Sequence, residues 1–131
     1  MARAFKLFLL EDKFAISKLP QFAEIPSVLS KGELCFVSRT DEELSIISPE
    51  FMAPNNVQQV VGYRCFRIVK GTPPDDKGVI DTLVHPAAEA GISIFTVSTF
   101  TTTYVFFLEE DLEKITQAMQ GAGHEFVREE K

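Results

Sequence analysis

The stretch Ala90–Glu110, AGISIFTVSTFTTTYVFFLEE, decides the fold. Its two runs of β-branched and aromatic residues, ISIFTVS and TYVFFL, flank a hydroxyl-rich tip, which is the pattern of a β-hairpin. Helical patterns lie on both sides. Upstream, Gly78–Ala90 reads as a helix stopped by Gly91, and Pro86 inside it removes one backbone hydrogen bond and predicts a kink. Downstream, Glu110–Ala122 sets Leu112, Ile115, Met119 and Ala122 on one face, with Glu109, Glu110 and Asp111 complementing the helix dipole at its start. Gly121 and Gly123 end it, and His124–Arg128 is a last strand. With a strand over Gly62–Lys70 and a loop at 71–77, GTPPDDK, the order is β-α-β-β-α-β, a ferredoxin-like unit.

The same hairpin pattern recurs 60 residues upstream in weaker form. Leu34–Met52, LCFVSRTDEELSIISPEFM, lies under Ile94–Leu112, with Ser38 under Ser98, Val37 under Val97, and Leu44, Ile46 and Ile47 under Tyr104, Phe106 and Phe107. Around it, Phe5–Leu10 and Phe14–Leu19 read as strands, Pro20–Ser30 as a short or irregular helix, Glu33–Arg39 and Leu44–Ser48 as strands, and Pro49–Met52 as a helical stub. The chain is therefore expected to be α+β, two ferredoxin-like units in tandem, residues 1–61 and 62–131. Each is expected to carry an antiparallel sheet with helices on one face.

Composition bounds the function. A chain of 131 residues with 45% hydrophobic side chains, twelve Phe and no Trp can bury a core and is not disordered. The net charge of −6, with Lys and Arg scattered, argues against nucleic acid and anionic membranes as partners, since both need a clustered positive field. No apolar run approaches the ~20 residues of a membrane span, and no cleavage site follows the N-terminal apolar run, so a soluble, cytoplasmic protein is expected. Cys35 and Cys65 each sit within a strand pattern and are expected to be reduced, core-packed thiols.

The strands of the second half are apolar on both alternating sets: Ile92 and Ile94 against Phe95 and Val97, then Tyr104, Phe106 and Leu108 against Val105 and Phe107. Helices cover one face of such a sheet. The first half can cover part of the other, and a homodimer is expected to cover the rest.

PAAEAGISIFTVSTF, followed by an aromatic strand, EEDLEK and AGHEF, together with SRTDEELSIISPE and GYRCFRI upstream, resembles the tandem ACT-domain proteins over nearly the whole chain. The closer likeness is to small bacterial two-ACT proteins and to the CASTOR-type cytosolic arginine sensors. The resemblance implies a non-catalytic, regulatory, allosteric module that binds a small molecule, usually an amino acid, at an interface between ACT units. Carried over by motif, the ligand would meet Asp76, Gly78, Val79 and Ile80 in the loop entering the first helix. Ser93 and Ile94 would meet it from the strand, and Ser98, Thr99, Phe100 and Thr103 from the hairpin tip. A helix N-terminus suits a carboxylate, and glycine lets the backbone approach closely. Two departures stand out: Thr103 replaces an acidic residue that relatives often carry in the hairpin, and Lys77 precedes Gly78 where a small or hydroxyl residue is usual.

The alternative is a ligand-free module that uses the same sheet face and hairpin to bind a protein partner or to dimerise. The loop GTPPDDKG also reads as a solvated turn, and STFTTT as a tip whose hydroxyls satisfy their own backbone. No cofactor, metal or catalytic residue is expected. His85 and His124 are isolated, their spacing from Cys35 and Cys65 suggests no nucleophile and base, and Asp41-Glu42-Glu43 lacks the ligand spacing of a calcium loop.

Overall fold

A computed structural model describes residues 4–69 and 78–128. The strands are β1 (Lys6–Leu9), β2 (Phe14–Leu19), β3 (Phe36–Arg39), β4 (Leu44–Pro49), β5 (Gln58–Ile68), β6 (Ile94–Ser98), β7 (Thr103–Leu108) and β8 (Glu125–Val127); the α-helices are α1 (Val79–Glu89) and α2 (Leu112–Gly121). Chain contacts divide the molecule into Met1–Glu11 with Arg64–Lys131, the larger unit, and Asp12–Tyr63, the smaller.

The larger unit runs β5, α1, β6, β7, α2, β8, the expected β-α-β-β-α-β order. In space its strands lie β6-β7-β5-β1-β8. The N-terminal strand β1 is inserted, antiparallel to β5 and parallel to β8. A split at residue 61/62 assigns β1 to the first unit; the contacts give it to the other, because Leu7 faces Ile68 and Phe126, Leu9 faces Phe66, and Phe5 and Leu7 join that unit's core. That core unites Val79, Leu83 and Ala87 of α1, Ile115 and Met119 of α2, and Phe66, Ile68, Val105 and Phe107 of the sheet. Burying a side chain of this size is worth about 1.5–3 kcal/mol.

The smaller unit keeps the element order but not the helices. Between β2 and β3 stands a 3-10 helix, Ser27–Lys31, and after β4 another, Glu50–Met52. Pro20 and Pro26 break the first connection, and the Arg39 guanidinium donates to the carbonyls of Gln21 and Ala23, holding that segment open rather than helical. Its strands lie β3-β4-β2-β5, which is 2-3-1-4 when numbered within the unit; with β1 set aside, the larger unit has the same 2-3-1-4 order. The smaller core is Leu19, Leu29, Leu44 and Ile46.

The two hairpins match in detail. In each, four residues join the last cross-strand pair, Arg39↔Leu44 or Ser98↔Thr103. The Thr40 N–H donates to the Glu43 carbonyl at 2.9 Å and its hydroxyl accepts from the Glu42 and Glu43 N–H groups; Thr99 does the same with Thr102 at 2.8 Å and with Thr101 and Thr102. Thr40 and Thr99 are 59 residues apart, so the repeat aligned at 60 is one residue out: Ile46 corresponds to Val105, not to Phe106. Ser38 and Ser98 suggest the longer spacing, but the turn-closing threonines set the frame.

The second face of the larger sheet, apolar in sequence, carries Phe95 stacked on Phe106 with centroids 4.8 Å apart. Arg67 lies over the rings of Phe8 at 5.1 Å and Tyr104 at 5.9 Å. A guanidinium on this face covers aromatic surface that the alternation pattern leaves open.

Candidate functional site

Of the described residues expected to bind ligand, Ser98, Thr99, Phe100 and Thr103 lie at the β6–β7 tip and Gly78, Val79 and Ile80 at the start of α1, whereas Ser93 and Ile94 lie at the other end of β6. Thr102 ties the hairpin tip to the end of β5, its hydroxyl donating to the Ile68 carbonyl at 2.7 Å. Gly78 precedes α1 with φ +82°, a left-handed conformation that glycine adopts without strain, and among the described residues no side chain caps the helix start. The Thr82 hydroxyl returns to the Gly78 carbonyl at 2.7 Å. Val79 is buried in the core and Ile94 packs against it, so both could offer only backbone to a ligand; Ile80 is half-buried and Ser93 exposed. Ser98 is exposed, while Thr103 is fully buried and shares a hydrogen bond with the Ser98 hydroxyl at 3.2 Å. Thr99 closes the turn, and Phe100 at its tip is 96% exposed. Asp76 lies outside the described residues.

A second feature escaped the sequence reading. A cleft of about 560 Å³ opens between the helices of the same unit, lined by Asp81, Thr82, His85, Pro86 and Glu89 of α1, by Ala118 and Gly121 of α2, and by Ala122 and His124 beyond it. None of the nine described residues expected to bind ligand lines it. The signals were there singly: a proline inside a helix, and a histidine three residues past that helix's partner.

His124 is 4% exposed. Its ring stacks on Phe5, and its Nδ1 accepts the Phe5 N–H at 3.0 Å. With Nδ1 accepting, the neutral ring carries its proton on Nε2. That Nε2 has no hydrogen-bond partner, although the Thr82 backbone lies near enough to act on it. Burial lowers the His124 pKa from 6.5, and the Thr82 backbone opposes this only in part.

His85 faces Glu89 at 3.5 Å on the exposed side of α1. Cys65 is fully buried, and burial raises its thiol pKa far above the ordinary range. Cys35 is half-buried and packs against the smaller core; both cysteines are free. Among the described residues no group of three His, Cys, Asp or Glu side chains is placed to hold a metal, and no helix is long and apolar enough to cross a membrane.

Residues 60–121 match the ACT domain family model. A solved structure of Agobacterium tumefaciens protein Atu0741 is 31% identical to this chain, covering 99% of it and 97% of that protein, with a TM-score of 0.89. This chain belongs to one family with that protein and carries an ACT domain. Vibrio cholerae protein VC0802 is 14% identical over 91% of this chain and 90% of its own, with a TM-score of 0.72. The regulatory subunit of aspartate kinase from Thermus flavus has the same fold at 12% identity, over 92% and 99% of the two chains, with a TM-score of 0.62. No curated protein matches the chain.

Proposed function

We propose that this protein is a non-catalytic, cytoplasmic regulatory module of two ACT units in tandem, which binds an amino acid at the start of α1 beside the β6–β7 tip. The observation that carries the reading is the start of α1 behind left-handed Gly78, capped by no side chain among the described residues, in a unit whose hairpin tip is fastened to the end of β5. Free N–H groups there suit a carboxylate. Asp76 is the proposed acceptor for the ammonium, and the backbone of Gly78, Val79, Ile80, Ser93 and Ile94 with Ser98, Thr99, Phe100 and Thr103 completes the set. A second copy of the chain, bound as a homodimer, would close the site. The shared strand order and identical turns of the two units support the tandem reading.

Ligand binding would favour one arrangement of ACT units and so alter contact with a partner protein. The second reading, a ligand-free interaction module, is favoured by Phe100, an exposed aromatic of the kind that anchors interfaces.

Thermal shift against the twenty amino acids, followed by calorimetry, tests the choice. A ligand at one hundred times its Kd adds about 2.7 kcal/mol to stability. Since Thr103 is buried, the informative variant is Ser98→Asp, which puts a carboxylate on the exposed member of that cross-strand pair. Tighter binding of the selected amino acid, by about fivefold, supports the site. Silence across the panel from parent and variant alike rejects it in favour of the interaction module.

A further inference from the structure

One imidazole holds the outer seam of the larger sheet. β8 is three residues long and the last strand on its side of the sheet, paired among the described residues to β1. The seam begins at Phe5 and His124. The Glu125 N–H donates to the Phe5 carbonyl at 3.0 Å, and the Phe5 N–H donates to His124 Nδ1 at 3.0 Å, so both backbone groups of Phe5 are taken by the chain entering β8. The two rings also stack, 3° from parallel with centroids 5.6 Å apart, and both are buried. Beyond this point β8 contributes Phe126, which is half-buried and meets Phe66 edge-on at 5.5 Å.

The Phe5 N–H depends on a lone pair that a proton can occupy. The neutral His124 ring carries its hydrogen on Nε2, so a second proton can go only to Nδ1, the atom that accepts from Phe5. An imidazolium has two N–H donors and no acceptor. No rotation of the ring restores one, and a buried backbone N–H then faces another donor, which costs more than the bond it has lost.

We propose that His124 is a proton-operated latch on this seam: the neutral ring fastens β8 to β1, and the charged ring lets the two strands part from the Phe5 end. Leu7 is fully buried and faces Ile68, which keeps β1 on β5, so β8 is the strand that leaves. The ladders of β6, β7, β5 and β1 make no use of the ring and stay paired. Parting bares the edge of β1. Burial holds the His124 pKa below 6.5, so the latch is closed at neutral pH and yields on acidification.

The groups around the ring set the point at which it yields. Asp81 and Glu89 of α1 share its cleft and favour the charged ring, as does the Thr82 backbone; His85 beside them opposes it once protonated itself. From α2 the cleft receives no charged side chain. Lys6 of β1 and Glu125 of β8, exposed neighbours of Phe5 and His124, have opposite signs and offset each other.

The test follows backbone amide exchange and the histidine ring nitrogens by NMR in the full chain, from about pH 8 down to the acid limit of the folded state, with each exchange rate divided by its intrinsic value. The Phe5 and Glu125 amides are expected to lose about tenfold in protection, the equivalent of one hydrogen bond, at the midpoint where the His124 ring charges. Val105 in β7 is expected to keep its protection. His124→Gln, whose carbonyl can accept from Phe5 at any pH, should hold both amides steady, and His85→Gln should leave the loss in place. A charged His124 ring with Phe5 still protected overturns the proposal, as does a ring that stays neutral until the chain unfolds, or a loss that reaches Val105 at the same midpoint. Those three results are read on the parent chain and need neither variant to fold. A loss that survives in His124→Gln, or vanishes in His85→Gln, overturns it as well.

Discussion

The two units share a strand order and a turn but not a core. Thr40 and Thr99 close their hairpins with the same hydrogen bonds, and Glu50 and Glu109, again 59 residues apart, both start a 3-10 turn. From there the units diverge. Glu50 is spent on the Gly62 N–H at 2.6 Å and its turn stops at Met52, whereas Glu109 reaches Arg64 at 3.8 Å and its turn runs on into α2. Two α-helices give the larger unit a core cluster of twelve buried side chains among the described residues; the cluster of the smaller unit, with 3-10 turns in their place, gathers four, with Phe14 and Ala15 buried outside it. It also leaves Phe22 82% and Phe51 78% exposed, with Val60 and Val61 about half exposed. A sheet order can thus survive with little helix, but the apolar surface that helices would have covered stays open.

The largest effect should come from the larger core. Phe66→Ala is expected to cost about 3–5 kcal/mol in urea denaturation, since the ring is fully buried between the sheet and Phe126. Leu44→Ala in the smaller core should cost nearer 2 kcal/mol, the low end of its class, because a thin core can collapse around the gap. Equal costs would show that the cores are equivalent and would remove the contrast.

Next in size are the turns. Thr40→Val and Thr99→Val each delete an acceptor for two backbone N–H groups, and each should lose about 1 kcal/mol. A large loss at one site and none at the other would mean that the shared geometry does different work in the two hairpins.

Acidification provides a probe confined to the larger unit. The His124 pKa is lower in the folded chain than its ordinary 6.5, so below pH 6.5 the unfolded chain takes up a proton that the folded chain refuses. This contribution is whole above pH 6.5 and is lost as the pH falls from there toward the folded-state value. Melting curves of parent and His124→Gln, whose side-chain carbonyl can still accept the Phe5 N–H, should diverge in slope over that window. Parallel curves would place the titration elsewhere.

The smallest effect belongs to Phe51→Ser, expected to change stability by less than about 0.5 kcal/mol because the ring is exposed. A loss of several times that size would reveal a partner surface for Phe51.

The hairpin, both helices of the larger unit and their glycine stops were legible because each rests on local rules: alternation for β6 and β7, a 3.6-residue period for α2, a glycine at either end of α1. The smaller unit was readable in its strands, β2 from Phe14 to Leu19 above all, and less so in its connections, where two prolines mark a break without fixing what replaces the helix. Of the candidate site, the sequence supplied the glycine at the start of α1 and the hydroxyls of the tip. It could not show that Val79 and Thr103 turn inward, since burial depends on what packs against them.

The sequence by itself determined the order of elements and the turn chemistry, both set by neighbours within a few residues. Tertiary structure alone decided that β1 lies between β5 and β8, that Arg67 covers Phe8 and Tyr104, and that Thr82 meets His124 across the helices. Those pairings join residues more than thirty positions apart. Strand insertion and burial are settled by the whole core's apolar surface, which no local pattern encodes.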